Sequence, residues 1–250
     1  MLIDTHCHIH ESYELPINEV LTDATEADVK QYICVGTSEL SSRQAIDFSE
    51  KHAEAHASIG VHPHDTKDGY GEIAEIAASG SKKLIAVGEI GLDYFYTHSP
   101  REMQIEALKA QIEVALEHNL PIIFHVREAF EDFWPIFESY KGIRGVLHSF
   151  TDSKENMQKA VEKGLFIGVN GISTFTKDEN QKSMFDAIPL DKLLFETDSP
   201  FLTPTPYRGK INQPAYVKVI AQYHADRRGI SLKEISDATS QNARALFNLN

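Results

Sequence analysis

The sequence predicts a single (β/α)8 barrel of the triosephosphate-isomerase type, one domain filling residues 1–250. Three observations point there. Eight short apolar runs recur along the chain, stretches of helical length separate them, and no Gly-rich phosphate loop follows the first run. Repeated strand–helix units imply a parallel sheet, and eight of them suggest closure. The competing doubly wound sheet normally carries such a loop.

The expected strands are LIDTH (2–6), YICVG (32–36), HASIGVH (56–62), LIAVGE (84–89), PIIFHV (121–126), GVLHSF (145–150), LFIGVN (165–170) and LLFETD (193–198). They are rich in β-branched or aromatic residues and often continuously apolar, as strands buried on both faces read. The clearest helix is expected over 101–118, where Ile105, Leu108, Ile112 and Ala115 fall at helical spacing. Pro100 suits its first turn, and Pro121 opens the next strand, where a missing N–H is tolerated. A last helix is expected over 232–247, with Ser231 as N-cap and Glu234 three residues later, a capping-box pattern.

Hydrophobic residues at 42% and charged residues at 24% are ordinary for a folded chain. A net charge of −13, from 37 acidic and 24 basic residues, argues against a broad basic surface that wraps nucleic acid. It leaves room for a small basic patch beside a site. No apolar run reaches membrane-spanning length, and MLIDTHCHIH lacks a basic signal-peptide start. The expectation is a cytoplasmic protein with no membrane and no obligate protein partner. Two cysteines make no disulfide framework. Strand alternation points Cys7 away from the face shared by His6 and His8, and both Cys7 and Cys34 read as buried thiols.

The chemistry-bearing residues share one position. His6 and His8 close the first strand, Glu89 the fourth, His125 the fifth, His148 the sixth and Asp198 the eighth. C-terminal strand ends of a barrel converge on one face, so these six are expected in one cleft. Each has an ordinary reading: a surface histidine pair, a strand-end cap, a hydrogen-bonded core histidine, a turn cap before Pro200. All six at strand ends together argue against that. Such nitrogen and carboxylate donors suit Zn, Mn, Fe or Co, and a carboxylate-rich site also takes Mg. Six ligands exceed one tetrahedral site and suit two divalent metal ions, about 3.5–4 Å apart. The expected division is His6, His8 and Asp198 on one ion, His125 and His148 on the other, and Glu89 between them. A bound ion lowers the pKa of a water to about 7. Asp198 could orient that water or take its proton, which makes Asp198 and Glu89 the candidate catalytic carboxylates.

Asp4 and Glu196 precede His6 and Asp198 by two residues and share their faces one layer deeper. They read as supports for the ligands or as buried structural hydrogen bonds. Asp93, Arg127 and Glu128 follow ligands and line the expected cleft. In YRGKINQP (207–214), Arg208, Lys210 and Asn212 could grip phosphate; the plain alternative is a solvated basic loop. Tyr94, Phe95, Tyr96, Phe150 and Phe201 gather near the same rim. Unpaired bases stack on such rings, although at least half of them are expected in the core.

The motifs IDTHCH, GVHPH, GEIGLDY, FHVREA, LHSF and ETDSPFL, in this order, resemble the TatD family of metal-dependent deoxyribonucleases. The resemblance runs from Leu2 to the NARALF segment (242–247). It implies a barrel of the same type, a divalent-metal site, and hydrolysis of phosphodiester bonds, often as a 3′-to-5′ exonuclease on DNA. The matching motifs imply the same ligands, His6, His8, Glu89, His125, His148 and Asp198. They also imply that GVHPH lies near the bound phosphate, so that His62 or His64 donates a hydrogen bond to it; the plain reading of His64 is a loop held by Pro63. The family often carries an acidic residue where this chain has Gln213. Two other readings stand beside this one. An amidohydrolase or esterase acting on a small molecule or aminoacyl-tRNA also starts with His-x-His, but many such barrels bridge their metals with a modified lysine, whereas Glu89 supplies a carboxylate directly. A non-catalytic metal-stabilised binding protein fits poorly with a complete ligand set.

Overall fold

The structure is a computed structural model that describes every residue except Thr97. Its elements run β1 (Leu2–Cys7), α1 (Ile17–Glu26), β2 (Val29–Val35), α2 (Glu39–Lys51), β3 (Ala55–Ile59), α3 (Ile73–Ala77), β4 (Leu84–Asp93), α4 (Arg101–Glu117) and β5 (Ile122–Arg127). They continue with α5 (Phe130–Ser139), β6 (Gly145–Leu147), α6 (Lys154–Glu162), β7 (Phe166–Val169), α7 (Ile172–Phe175), α8 (Glu179–Ala187), β8 (Leu193–Phe195), α9 (Val217–Arg228) and α10 (Leu232–Phe247). The strands follow one another in sequence order, β1 to β8. Alternating with helices, this is the topology of a (β/α)8 barrel. No helix among the described residues is long and apolar enough to cross a membrane.

By contact, the chain divides into two compact units, residues 1–33 with 149–250, and residues 34–148. In the first, β7 and β8 pair in parallel, with Ile167 opposite Leu193 and Val169 opposite Phe195. All of β1 is buried, and α10 packs on β1 and β8. The face α10 buries includes Ile235, Thr239, Ala243 and Leu246, the three-and-four spacing of an amphipathic helix. Its capping box is complete: Ser231 Oγ accepts from the Glu234 amide at 3.2 Å, and Glu234 Oε2 accepts from the Ser231 amide at 2.8 Å.

The second unit carries parallel β3 to β6. Ile59, Ile90, Leu92, Phe124 and Phe133 are fully enclosed, and the last two rings meet edge to face at 5.2 Å, a favourable aromatic geometry. The register between β4 and β5 shifts between Val87 and Ile90. Just beyond, Gly91 lies opposite His125 with φ +156°, and a Cβ there would stand 1.7 Å from the His125 carbonyl oxygen. Only glycine allows that approach.

Four C-terminal strand ends differ from those expected by three residues or more, and one of them is β6, which stops at Leu147 so that His148 follows the strand. β3 stops at Ile59, so His62 lies in the following loop. β4 runs four residues beyond Glu89, because Gly91 lets it stay paired with β5. β8 stops at Phe195, and Asp198 follows in a left-handed turn with φ +58°. Both cysteines are fully buried, and Cys7 Sγ donates to the Ile33 carbonyl at 3.3 Å.

Candidate functional site

In the first unit, the alternation of β1, carried one residue past its end, sends His6 and His8 to one face, with Cys7 on the other. The backbone brings Asp198 to them: its amide donates to the His6 carbonyl at 2.8 Å, and the His8 amide donates to the Ser199 carbonyl at 2.8 Å. The Nε2 atoms of His6 and His8 stand 3.2 Å apart. Asp198 Oδ1 lies 3.6 Å from the first and 3.3 Å from the second.

Asp4 clamps this arrangement through the backbone. Its Oδ1 accepts from the Thr197 amide at 2.8 Å and the His6 amide at 3.3 Å, and its Oδ2 accepts from the Thr197 hydroxyl at 2.6 Å. Burial pushes its carboxyl up to about 8, against the pull of those bonds. Glu196 Oε1 accepts from the Ser149 amide at 2.6 Å, tying the start of another loop to β8. His10 continues the alternation and was not singled out in the sequence. Its ring lies 6.3 Å from that of His8, and burial, with His8 and His6 nearby, pushes its pKa down to about 3.

The loop after β8 sorts differently from expectation. Asn212 is buried and its Nδ2 donates to the Thr197 carbonyl at 2.8 Å, so it braces the Asp198 turn and is not open to phosphate. Arg208 donates to the Thr203 carbonyl at 2.8 Å and lies 3.9 Å over the Phe175 ring. Gln213 Nε2 donates to Asp23 Oδ2 at 3.0 Å. A carboxylate at 213 would face that of Asp23, which gives the departure at this position a local reason.

The second unit gathers its group around Glu89. Oε1 of Glu89 is 2.7 Å from His148 Nε2, 2.8 Å from His125 Nδ1 and 3.3 Å from His62 Nε2. Burial alone would raise the Glu89 pKa, but the imidazoles of His148 and His62 and the bonds from His125 and His148 hold it well below the ordinary carboxylate range. His62 is pushed down to about 4 by burial, partly offset by Glu89.

Behind His125 stands Asp93. Its Oδ2 is 2.9 Å from His125 Nε2 and 3.0 Å from His64 Nε2, and its Oδ1 accepts from the Phe95 and Tyr96 amides at 3.0 and 3.1 Å. These bonds outweigh burial and keep Asp93 ionised; burial lowers the His125 pKa, but Asp93 and Glu89 raise it on balance. Buried Gln104 fixes the Asp93 backbone, accepting from its amide at 2.8 Å.

The sequence therefore located both groups, and the structure adds His62 to the Glu89 cluster and Asp93 behind it. Neither addition had a signal in spacing, since Asp93 and His125 lie 32 residues apart. Of the rim aromatics, Phe150 is core at 4% exposure, Tyr94 is tied to Asp132, and Phe95, Tyr96 and Phe201 are exposed.

Both groups fit a divalent cation. His6 and His8 present nitrogens so close that at most one proton fits between them, and both face a carboxylate oxygen. His125 Nδ1 and His148 Nε2 repeat this at 3.2 Å beside Glu89. Such convergent donors are satisfied together by a cation. His6, His8 and Asp198, and separately His62, Glu89 and His125, bring their donor atoms within 4.8 Å of one another.

Histidine–carboxylate groups of this kind on a (β/α)8 fold define a metal-dependent hydrolase. The chain belongs to the family described as TatD related DNase, whose model matches residues 3–248. It is 37% identical to the uncharacterized metal-dependent hydrolase YabD of Bacillus subtilis, over 100% of both chains. It is 35% identical to the 3′-5′ ssDNA/RNA exonuclease TatD of Erwinia tasmaniensis, over 93% of both. Among solved structures, YJJV, a TatD homolog from Escherichia coli K12, aligns at TM-score 0.91 and 26% identity, covering 100% of this chain and 98% of the other.

Proposed function

We propose that this hydrolase removes nucleotides from the 3′ end of single-stranded DNA, using two divalent metal ions and an attacking water. The observation that carries this reading is the pair of histidine–carboxylate groups, one at His6, His8 and Asp198 and one at Glu89, His125 and His148. The match to a relative named as a 3′-5′ ssDNA/RNA exonuclease supports the substrate. RNA is a further substrate under the same reading. The match from 3 to 248 without interruption supports one domain over 1–250.

Bound divalent ions would make water more acidic and neutralise charge on the scissile phosphate. Mg, Mn and Zn all suit these donors. The chain's own residues do the rest. Asp198 lies partly open at its turn and takes the proton of the attacking water. Glu89, held ionised by its imidazoles, supplies the carboxylate of the second group. Asp93 accepts the Nε2 proton of His125, which leaves Nδ1 as the donor atom aimed toward Glu89. His64, a quarter exposed, serves the phosphate, while His62 aims at Glu89. Arg208, steadied on Phe175, is the basic contact of the other unit.

The test is degradation of single-stranded oligonucleotides labelled at the 3′ or the 5′ end. Protein is stripped with chelator, then assayed with Mg, Mn or Zn restored, beside Glu89→Ala. Metal-dependent shortening from the 3′ end, absent in the variant, is the expected result. Metal-loaded protein that cuts no strand but hydrolyses aminoacyl-tRNA or small esters would move the substrate to those classes.

A further inference from the structure

We propose that Phe95, Tyr96 and Arg127 form a subsite for one unpaired nucleotide, the two rings taking its base and the guanidinium its phosphate. This rests on the nuclease reading above and names the residues that would make it select unpaired ends.

The two rings are large and open, 48% and 42% exposed. Their backbone is also held. Asp93 Oδ1 accepts from both of their amides, and the same carboxylate holds His125 and His64 through Oδ2. A single side chain thus ties the backbone of both aromatics to a candidate metal ligand. Phe95 and Tyr96 meet at 85°, with centroids 4.7 Å apart, so they form a corner and not a flat patch.

Arg127 completes the corner. It ends β5 opposite Asp93 in the register, two residues beyond His125. Its guanidinium carbon lies 3.8 Å over the Phe95 ring and 5.0 Å from the Tyr96 centroid. Stacking of this kind holds the plane of the group while leaving its N–H edges to bind phosphate oxygens. No carboxylate pairs with Arg127 among the described residues, in a chain with 37 acidic side chains. Open rings beside an unneutralised cation match a nucleotide, a flat base joined to an anion. Stacking on aromatic faces is tolerant of base identity, so the subsite would favour unpaired over paired ends without reading sequence.

The test measures equilibrium affinity of the metal-loaded enzyme for two phosphorothioate oligothymidylates, which resist cleavage, one intact and one abasic at its 3′ terminal position. The wild type is expected to hold the intact strand about tenfold more tightly, the scale of one stacked base. Phe95→Leu and Tyr96→Leu keep apolar bulk without a ring, and each is expected to lose most of that ratio. Phe95→Trp should retain it. Arg127→Ala should weaken both strands alike and lower the salt slope of binding by about 0.7, one phosphate contact. A wild type indifferent to the missing base, or leucine variants with the wild-type ratio, overturns the subsite even where cleavage proceeds. A wild type that shows the ratio but cuts no unmodified strand overturns the nuclease reading instead.

Discussion

In the first unit, a strand end and a left-handed turn supply two imidazoles and one carboxylate. That carboxylate, Asp198, is partly exposed and is brought in by backbone pairing. In the second unit, three imidazoles surround a buried carboxylate, and a second carboxylate grips one of those rings from behind. The first group is thus positioned by main-chain hydrogen bonds, with Asp4 as their clamp. The second is positioned by side-chain bonds, among them those of Asp93 to His125 and His64. The contrast teaches that the two groups should respond separately to mutation, and that the second should keep its shape better without metal.

The largest effect is expected from Glu89→Ala. Partners one shell beyond a ligand typically cost 10–100-fold when lost, so removing the central carboxylate should lower turnover by more than about a hundredfold. Loss at the second group with retained metal at His6, His8 and Asp198, read by metal titration, would bear out separate groups. Asp198→Ala should give the reverse pattern.

Gly91→Ala comes next. A methyl group 1.7 Å from the His125 carbonyl forces β4 and β5 apart. Overpacking of this type costs about 1–3 kcal/mol, to be read from the denaturation midpoint, and it should release metal from the second group first. A variant as stable and as well loaded as wild type would contradict the close approach.

Asp93→Asn is a milder change. The amide retains shape but accepts poorly from two imidazoles, and metal affinity at the second group should fall about 10–100-fold. Metal titration and the proton NMR signal of the His125 ring would follow it. Equal loss at both groups would remove the distinction drawn here.

The last effect lies away from both groups. Burial, helped by the Arg228 charge, pushes buried His224 down to about 3 from an ordinary 6.5, while its Nε2 pairs with Ser173 Oγ at 2.9 Å. The folded pKa is the lower one, so the neutral ring's stability is complete above pH 6.5. As pH falls from 6.5 toward 3, the unfolded chain takes up a proton that the folded one refuses. Stability should therefore drop with acid by up to about 1.4 kcal/mol per pH unit. His224→Gln should flatten that slope in urea titrations across this window.

Much of this was legible in the sequence, and the reasons are local. Strands buried on both faces announce themselves as β-branched runs, and α10 carries its boundary in Ser231 and Glu234. The candidate ligand histidines were visible because each ends or follows such a run. What the sequence hid depends on pairing between distant segments. Glu89 stands inside β4 and not at its end, because Gly91 sustains a pairing that a lone glycine in a sequence ordinarily signals as broken. Asp198 reaches His6 through a turn set by backbone bonds 190-odd residues apart along the chain. Asn212 looked like a phosphate contact because its neighbours are basic, yet it is spent on main-chain carbonyls. The approach of His62 to Glu89 likewise depends on pairing between segments that the sequence does not place together.

The two enclosed thiols have a practical meaning. Cys7 belongs to one unit and Cys34 to the other, each shut off from solvent. A thiol-reactive dye can reach either only when its surroundings open. Labelling rates read residue by residue in a mass spectrometer therefore act as two clocks. Clocks that tick together would mean the whole chain breathes as one body, and clocks that differ would say which half lets go first.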